Sequence, residues 1–361
     1  MAKFYYGGQA VMEGVMMRGR RSVAVATRKP EGDIYVYEEL LSPKIYQNKV
    51  FQWPFLRGMV MLWDMLVLGT RMMTLSANIS TGALDPATLP LVAEPGSVNA
   101  QNAEHAAATT GEQSTAAGET APPALGGLPL ILTMLVSLTF AVAIFFVGPL
   151  LVTGLLHNQI GTGFVSLVFE GVLRLVILVG YLYLIGRMAD IQRVFGYHGA
   201  EHKSINTMEQ GEPLDVEHVR KASRVHTRCG TGFLLIVMVV SIFVFAFFSW
   251  PPFLVKVLLR IVLIPVVAGI SYELMRLGAA NYRYRVVRWL LAPGLALQGL
   301  TTREPDDSMI ECAIAALKHV VGRDEAAEGL AASTQGTAVV GIETTAVQSA
   351  DTAAFVPNTT I

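Results

Sequence analysis

A mainly α-helical, polytopic membrane protein is the fold class this sequence predicts. It should have about four transmembrane helices, a small cytoplasmic N-terminal β module and an interfacial helix. Three observations point there. Of 361 residues, 52% are hydrophobic and only 15% are charged, whereas soluble domains carry about 25% charged residues. Mean hydropathy is +0.47. Four segments reach the roughly 20 apolar residues that a helix needs to cross a bilayer. The net charge of −1 gives no reason to expect nucleic acid as a partner. The expected partner is the lipid bilayer, and protein partners are left open.

Residues 1–50 read as the cytoplasmic N-terminal module. Met1 to Tyr6 lack the apolar run and small-residue cleavage site of a signal peptide. A β-hairpin is expected over Ser22–Leu41. Val23, Val25 and Thr27 alternate, Pro30-Glu31-Gly32-Asp33 supplies turn chemistry, and Ile34-Tyr35-Val36-Tyr37 returns. Residues 51–79 form an amphipathic or membrane-associated helix. Within Phe55–Leu75, Arg57, Asp64 and Arg71 recur at heptad spacing and make one polar stripe. A full span here would place the basic N-terminus outside, against the charge rule, so an interfacial or bundle-packed helix is expected. Residues 80–127, which include His105, have the small, polar composition of a disordered linker.

The four spans fall at about Leu128–Leu156, Phe164–Gly186, Thr231–Trp250 and Phe253–Arg276. They place helices 1–2 in 128–186 and helices 3–4 in 231–276. The short connections His157–Gly163 and Pro251-Pro252 contain no lysine or arginine. The basic residues concentrate in the N-terminal part, in the stretch between spans two and three, and in the C-terminal part. By the positive-inside rule both termini and the central loop face the cytoplasm. Cys229 and Cys312 then lie where thiols stay reduced. Residues 277–322 read as a cytoplasmic helical region. Its last helix opens at Asp306-Asp307-Ser308 and turns Ile310, Ala313, Ile314 and Leu317 to one face. Residues 323–361 read as a disordered tail.

The central segment 187–230 carries the chemistry. His198-Gly199-Ala200-Glu201-His202 spells H-x-x-E-H, the mirror of the H-E-x-x-H zinc signature. On a helix ended by Gly211 the two histidines share a face and can offer two nitrogens to one ion, with Glu201 beside them as general base. A second helix is expected from Asp215, acting as its cap, to about Thr227. Four of the seven histidines, His198, His202, His218 and His226, fall in this segment. The expected cofactor is a divalent metal of the zinc kind, and His226, Cys229 or Glu273 would complete its ligands. Glu273 enters because helical rise carries it toward the cytoplasmic end of the fourth span. The blander alternatives are a solvated His218, a small buried cysteine at Cys229, and pairing of Glu273 with Arg276.

Glu170 and Arg174, and likewise Lys256 and Arg260, lie four apart within spans. Ionisable groups at that depth face the bundle or a wet cavity. A Glu170–Arg260 bridge between helices would be structural. The same three residues, Glu170, Arg174 and Arg260, would otherwise line a transport path.

Longer blocks carry a resemblance. Gly7-Gly8-Gln9-Ala10-Val11-Met12-Glu13-Gly14-Val15-Met16-Met17-Arg18-Gly19 and Tyr197–Asn206 are similar to signatures of the YqhQ-like family of bacterial membrane proteins of unknown function. His226–Thr231, Ser271-Tyr272-Glu273 and Leu300–Asp307 resemble further blocks of that family. The likeness covers about residues 3–80 and 125–321. It implies a bacterial inner-membrane location and a family described as predicted metal-dependent enzymes. It also adds Gln9, Glu13 and Arg18 to the candidate residues, with Gln9 and Glu13 expected together if that stretch is a helical turn. The leading expectation is a membrane-bound, metal-dependent, hydrolase-like enzyme. The alternatives are a non-catalytic scaffold or assembly factor and, third, a small transporter.

Overall fold

Strand β3 is buried at six consecutive positions, Ser22 to Thr27. A strand turns successive side chains to opposite faces, so both sides of this sheet are covered. A computed structural model of the chain describes residues 6–42, 53–54, 56–89, 92–93, 127–156, 159, 161, 164–248 and 252–350. Most of the expected linker, including His105, and the end of the tail lie outside the described residues. The strands are β1 (Gly7–Val11), β2 (Gly14–Arg18), β3 (Ser22–Arg28), β4 (Ile34–Leu40) and the short β5 (Val92–Ala93). In chain order the helices begin with α1 (Leu56–Ser80), α2 (Gly127–Val142), α3 (Gly148–Leu155) and α4 (Phe164–Ile185). Next come α5 (Ala189–Gln210), α6 (Val216–Lys221) and α7 (Gly230–Ala246). The last are α8 (Phe253–Val262), α9 (Ile264–Ala280), α10 (Arg285–Thr301) and α11 (Asp307–Ala350).

The hairpin expected over 22–41 is β3–β4, with Val25 opposite Tyr37. The first two strands were not foreseen. β1 and β2 pair antiparallel around the Met12-Glu13 turn, where Glu13 adopts φ +50°. Gln9 and Glu13 are therefore not on a helical turn: Gln9 sits mid-strand and Glu13 at the hairpin tip. β1 to β4 form an antiparallel meander, and β5 adds in parallel to β4.

Helices sandwich the sheet. On one face Val11, Met16, Val23, Val25 and Tyr37 pack with Leu68, Met72, Leu75 and Ile79 of α1. On the other, Ala10, Val15, Met17, Ala24 and Ala26 pack with Tyr197 and Ala200 of α5 and Ile310, Ala313 and Leu317 of α11. The polar stripe of α1 faces protein throughout. Arg57 pairs with Glu273 of α9, Asp64 with Arg18 of β2 at 3.4 Å, and Arg71 with Glu39 of β4 at 2.6 Å. α1 thus links the sheet to the helical bundle. α11 runs past the start of the expected disordered tail. Buried Asp324 accepts the backbone N–H groups of Arg20 (2.8 Å) and Arg21 (3.1 Å) at the β2–β3 turn.

Among the described residues three helical runs are long and apolar enough to cross a membrane: α1, Ile131–Leu155 and α4. The second run joins α2 to α3 through a π-turn at Ala143–Val147. The fourth expected span is broken, because α8 and α9 meet at 45°. Pro265 lies in the first turn of α9 and lacks the N–H that would continue the ladder. Counting the bent pair as one span gives four, and α7, at 17 residues, is shorter. Inside the bundle Glu170 accepts from Arg174 at 2.7 Å and Arg260 at 2.9 Å, and Arg174 also donates to Ser241 at 2.6 Å. The three charges, on α4 and α8, satisfy one another, and Ser241 ties them to α7. α10 lies against α7 and leaves Val286, Trp289 and Leu290 exposed beside Arg285 and Arg288. That apolar and basic pattern suits a bilayer interface.

Candidate metal centre

The helical period brings His198 and His202 of α5 together, with ring centroids 4.4 Å apart. α5 ends at Gly211, whose φ of +77° is the left-handed cap that glycine adopts without strain. Asp215 caps α6 by accepting the N–H of His218 at 2.9 Å, as the sequence predicts. The helix stops at Lys221, however, well short of Thr227. Side chains of α5 take the carbonyls that a longer helix would use. Lys203 donates to Arg220 O at 2.7 Å, and Asn206 donates to Ser223 O (2.7 Å) and Val225 O (3.0 Å). The loop is thereby held open against α5 and delivers Cys229 to the histidine pair.

Both imidazoles are oriented by backbone carbonyls. Nδ1 of His198 lies 2.9 Å from Thr301 O, and Nδ1 of His202 lies 2.5 Å from Arg224 O. A carbonyl only accepts, so each Nδ1 carries a hydrogen, and in the neutral ring Nε2 is left with the lone pair. Nε2 of His198 is 3.3 Å from Cys229 Sγ. Nε2 of His202 is buried without a hydrogen-bond partner. One ligand atom from each of His198, His202 and Cys229 lies within 4.8 Å of the others. Zinc bonds of 2.0–2.3 Å imply tetrahedral ligand separations of roughly 3.3–3.8 Å, so small side-chain adjustments would bring the three onto one ion. Cys229 also caps α7, where the N–H of Thr231 approaches Sγ at 3.4 Å.

Glu201 lies against this group. Its Oε2 is 3.9 Å from Nε2 of His198 and 3.8 Å from Nε2 of His202. Burial pushes its carboxyl up to about 7, opposed by the neighbouring His198 ring and by a hydrogen bond from the Gly8 N–H. Gly8 is needed for that approach: a Cβ there would stand 2.8 Å from Glu201 Cγ and 2.7 Å from Met16 O. Gly199 plays the same part on the other side. A Cβ would meet Arg303 O at 2.1 Å, at the strand-like segment whose Arg303 N–H donates to Phe195 O at 2.8 Å.

The remaining candidates lie outside the three-atom group. His226 sits behind His202, ring centroids 5.6 Å apart, with its backbone bonded in both directions to the Gln298 amide. Burial and the nearby Arg228 guanidinium hold its imidazole down at about 3, so it is neutral. Glu273 is engaged by Arg57 through two hydrogen bonds. His218 is partly exposed and paired with Asp215. Gln9 packs its amide against Gly69 of α1. Glu13 braces α5: Arg193 donates to it at 2.6 Å and the Tyr197 hydroxyl at 3.2 Å, and Arg193 holds its carboxyl below the usual range. Arg18 joins Asp64. Sequence reasoning missed the Thr301 and Arg224 carbonyls, the Gly8 N–H and Gln298. The blocks beginning at Gly7 and Leu300 were the signal available, since backbone groups leave no residue-type signature.

Residues 53–323 match a family described as a protein of unknown function, DUF1385. The chain is 34% identical over 315 residues to the uncharacterized protein YqhQ of Bacillus subtilis (strain 168), covering 86% of this chain and 90% of that one. No solved structure matches. The protein belongs to the YqhQ-like DUF1385 family, whose function is unknown.

Proposed function

We propose that His198, His202 and Cys229 hold a divalent ion of the zinc kind, and that the protein is a membrane-bound hydrolase working at the cytoplasmic surface of the bacterial inner membrane. The observation that carries this reading is the pair of imidazoles with both Nδ1 atoms committed to carbonyls. It leaves two Nε2 lone pairs beside one sulfur, and one of them is buried without a partner. Carbonyl-anchored histidines and three protein ligands with an open position are features of catalytic zinc sites. When bound, the ion supplies Lewis acidity and an activated water at neutral pH.

The chain's own groups supply the rest. Glu201 Oε2 stands within 4 Å of both Nε2 atoms, where it can take the proton of an attacking water and return it to the leaving oxygen. The Gly8 N–H fixes that carboxyl from the opposite side. Glu13, Arg193 and Tyr197 hold β1 against α5 so that Gly8 reaches it. The test is elemental analysis of detergent-purified protein, wild type beside His198→Ala/His202→Ala. About one transition metal per chain, lost in the double variant, is expected. Folded wild type that stays metal-free after added zinc overturns the reading.

A second reading rests on the 3.3 Å contact between Cys229 Sγ and His198 Nε2. Sulfur, imidazole and the Thr301 carbonyl form a nucleophile, base and orienting group in sequence. It ranks lower because it gives no role to Glu201 or to the unpartnered Nε2 of His202. Iodoacetamide separates the two: rapid, stoichiometric alkylation of metal-free Cys229 with turnover lost, and no metal dependence, would favour the thiol route.

A further inference from the structure

Residues of α7, α9 and α10 enclose a cavity of about 660 Å³, within the size range of ligand pockets. Leu235, Val239, Leu274, Leu277, Leu290 and Leu291 give its walls their character. Leu274, Leu277 and Leu290 are also exposed, so the cavity reaches the apolar outer surface between α9 and α10. Its other end carries a few polar groups and comes close in sequence to the candidate metal centre. Thr227 and Gly232, on either side of Cys229 in sequence, line it. So does Gln298, whose amide holds the His226 backbone one helical turn before the Thr301 carbonyl that orients His198.

We infer that this cavity receives an acyl chain of a bilayer lipid and presents that lipid's headgroup linkage to the His198–His202–Cys229 site, so that the substrate is a glycerophospholipid. The inference takes its chemistry from the metal-centre reading; the binding of the chain stands separately. Three features select the occupant. A peptide would bring N–H and C=O groups that these leucine and valine walls cannot pair, and leaving them unpaired is costly. The polar groups at the inner end are few, and the Gln298 amide is already committed. The cavity opens sideways, beside the exposed apolar face and arginines of α10, where anionic headgroups would lie. A lipid therefore enters from the bilayer without passing through water.

The test uses the full-length protein in vesicles containing phosphatidylglycerol with a photoactivatable diazirine on one acyl chain. Adducts are mapped by mass spectrometry for wild type, Leu291→Trp and Val239→Trp, with metal content measured on the same samples. Adducts should concentrate on cavity-lining peptides of α7, α9 and α10. Either tryptophan should lower them at least fivefold, while adducts on the outward faces of α2 and α4 and the metal content stay unchanged. Two positions are used so that a variant that fails to fold can be set aside for the other. Equal labelling of all outward faces, insensitive to both tryptophans, means ordinary annular lipid and overturns the inference. Cavity labelling in wild type that binds no metal keeps the lipid site and removes the metal-centre reading. A metal-loaded protein without cavity labelling does the reverse.

Discussion

Sγ of Cys229 lies 3.3 Å from Nε2 of His198, although 31 residues separate them in the chain. The contact depends on the early end of α6. Had the helix continued to Thr227, the Arg220 and Ser223 carbonyls would be used internally and lost to Lys203 and Asn206 as acceptors.

Cys229→Ala should remove the sulfur ligand while leaving both histidines anchored. Loss of even an outer-shell partner weakens metal sites about 10–100-fold, so loss of this ligand should exceed that range. Competition with a chromophoric chelator measures it. Unchanged affinity would remove Cys229 from the site.

Glu201→Gln should keep the metal and lower turnover of any ester or phosphoester the wild type cleaves by about 10²–10⁴-fold, the usual worth of a general base. Loss of metal along with turnover would make Glu201 a ligand or a structural residue instead.

Gly199→Ala places a Cβ 2.1 Å from a backbone oxygen, which cannot swing away as a side chain would. Overpacking of this kind costs about 1–3 kcal/mol. A lowered Tm and weaker metal binding are expected together, because Thr301 shares the displaced segment. A wild-type Tm would show that the segment yields freely.

Glu170→Gln leaves the Arg174 and Arg260 guanidinium groups without their shared carboxylate. Breaking such a buried network costs about 3–5 kcal/mol. Unfolding in detergent should report the loss with the metal content of the folded fraction unaltered. Stability equal to wild type, with altered ion flux in liposomes, would favour the transport alternative.

Acid should loosen the sheet from its helices. Glu13 is held below the usual carboxylate range chiefly by its hydrogen bond from Arg193, and Glu38 is lowered against its own burial by Arg323. A depressed folded pKa contributes stability above the unfolded value and loses it as pH falls through the folded one. The window therefore opens below about pH 4.3, the ordinary glutamate value. Tm should fall more steeply below that pH in wild type than in Glu13→Gln/Glu38→Gln. Parallel curves would show that these pairs are screened into insignificance.

The helical period alone placed His198 and His202 on one face, and Asp215 and Gly211 marked the cap and the stop beside them. The heptad spacing of Arg57, Asp64 and Arg71 likewise foretold one polar face on α1. β1 and β2 were not legible: Gly7-Gly8-Gln9 shows no alternation, because this sheet is covered on both sides and its strands need none. Nor was the end of α6. Lys203 and Asn206 capture its carbonyls from another helix, and no local signal records that.

The sequence by itself determined the apolar helices, the hairpin at Ser22–Leu41 and the pairing of imidazoles across one turn, because periodicity is a local property of the backbone. Only the tertiary structure decided which partner joins those imidazoles. Cys229, His226 and Glu273 were equal candidates by residue type. The choice fell to Cys229 because the Lys203 and Asn206 bonds hold its loop against α5, the Gln298 amide turns the His226 backbone aside, and Arg57 engages Glu273.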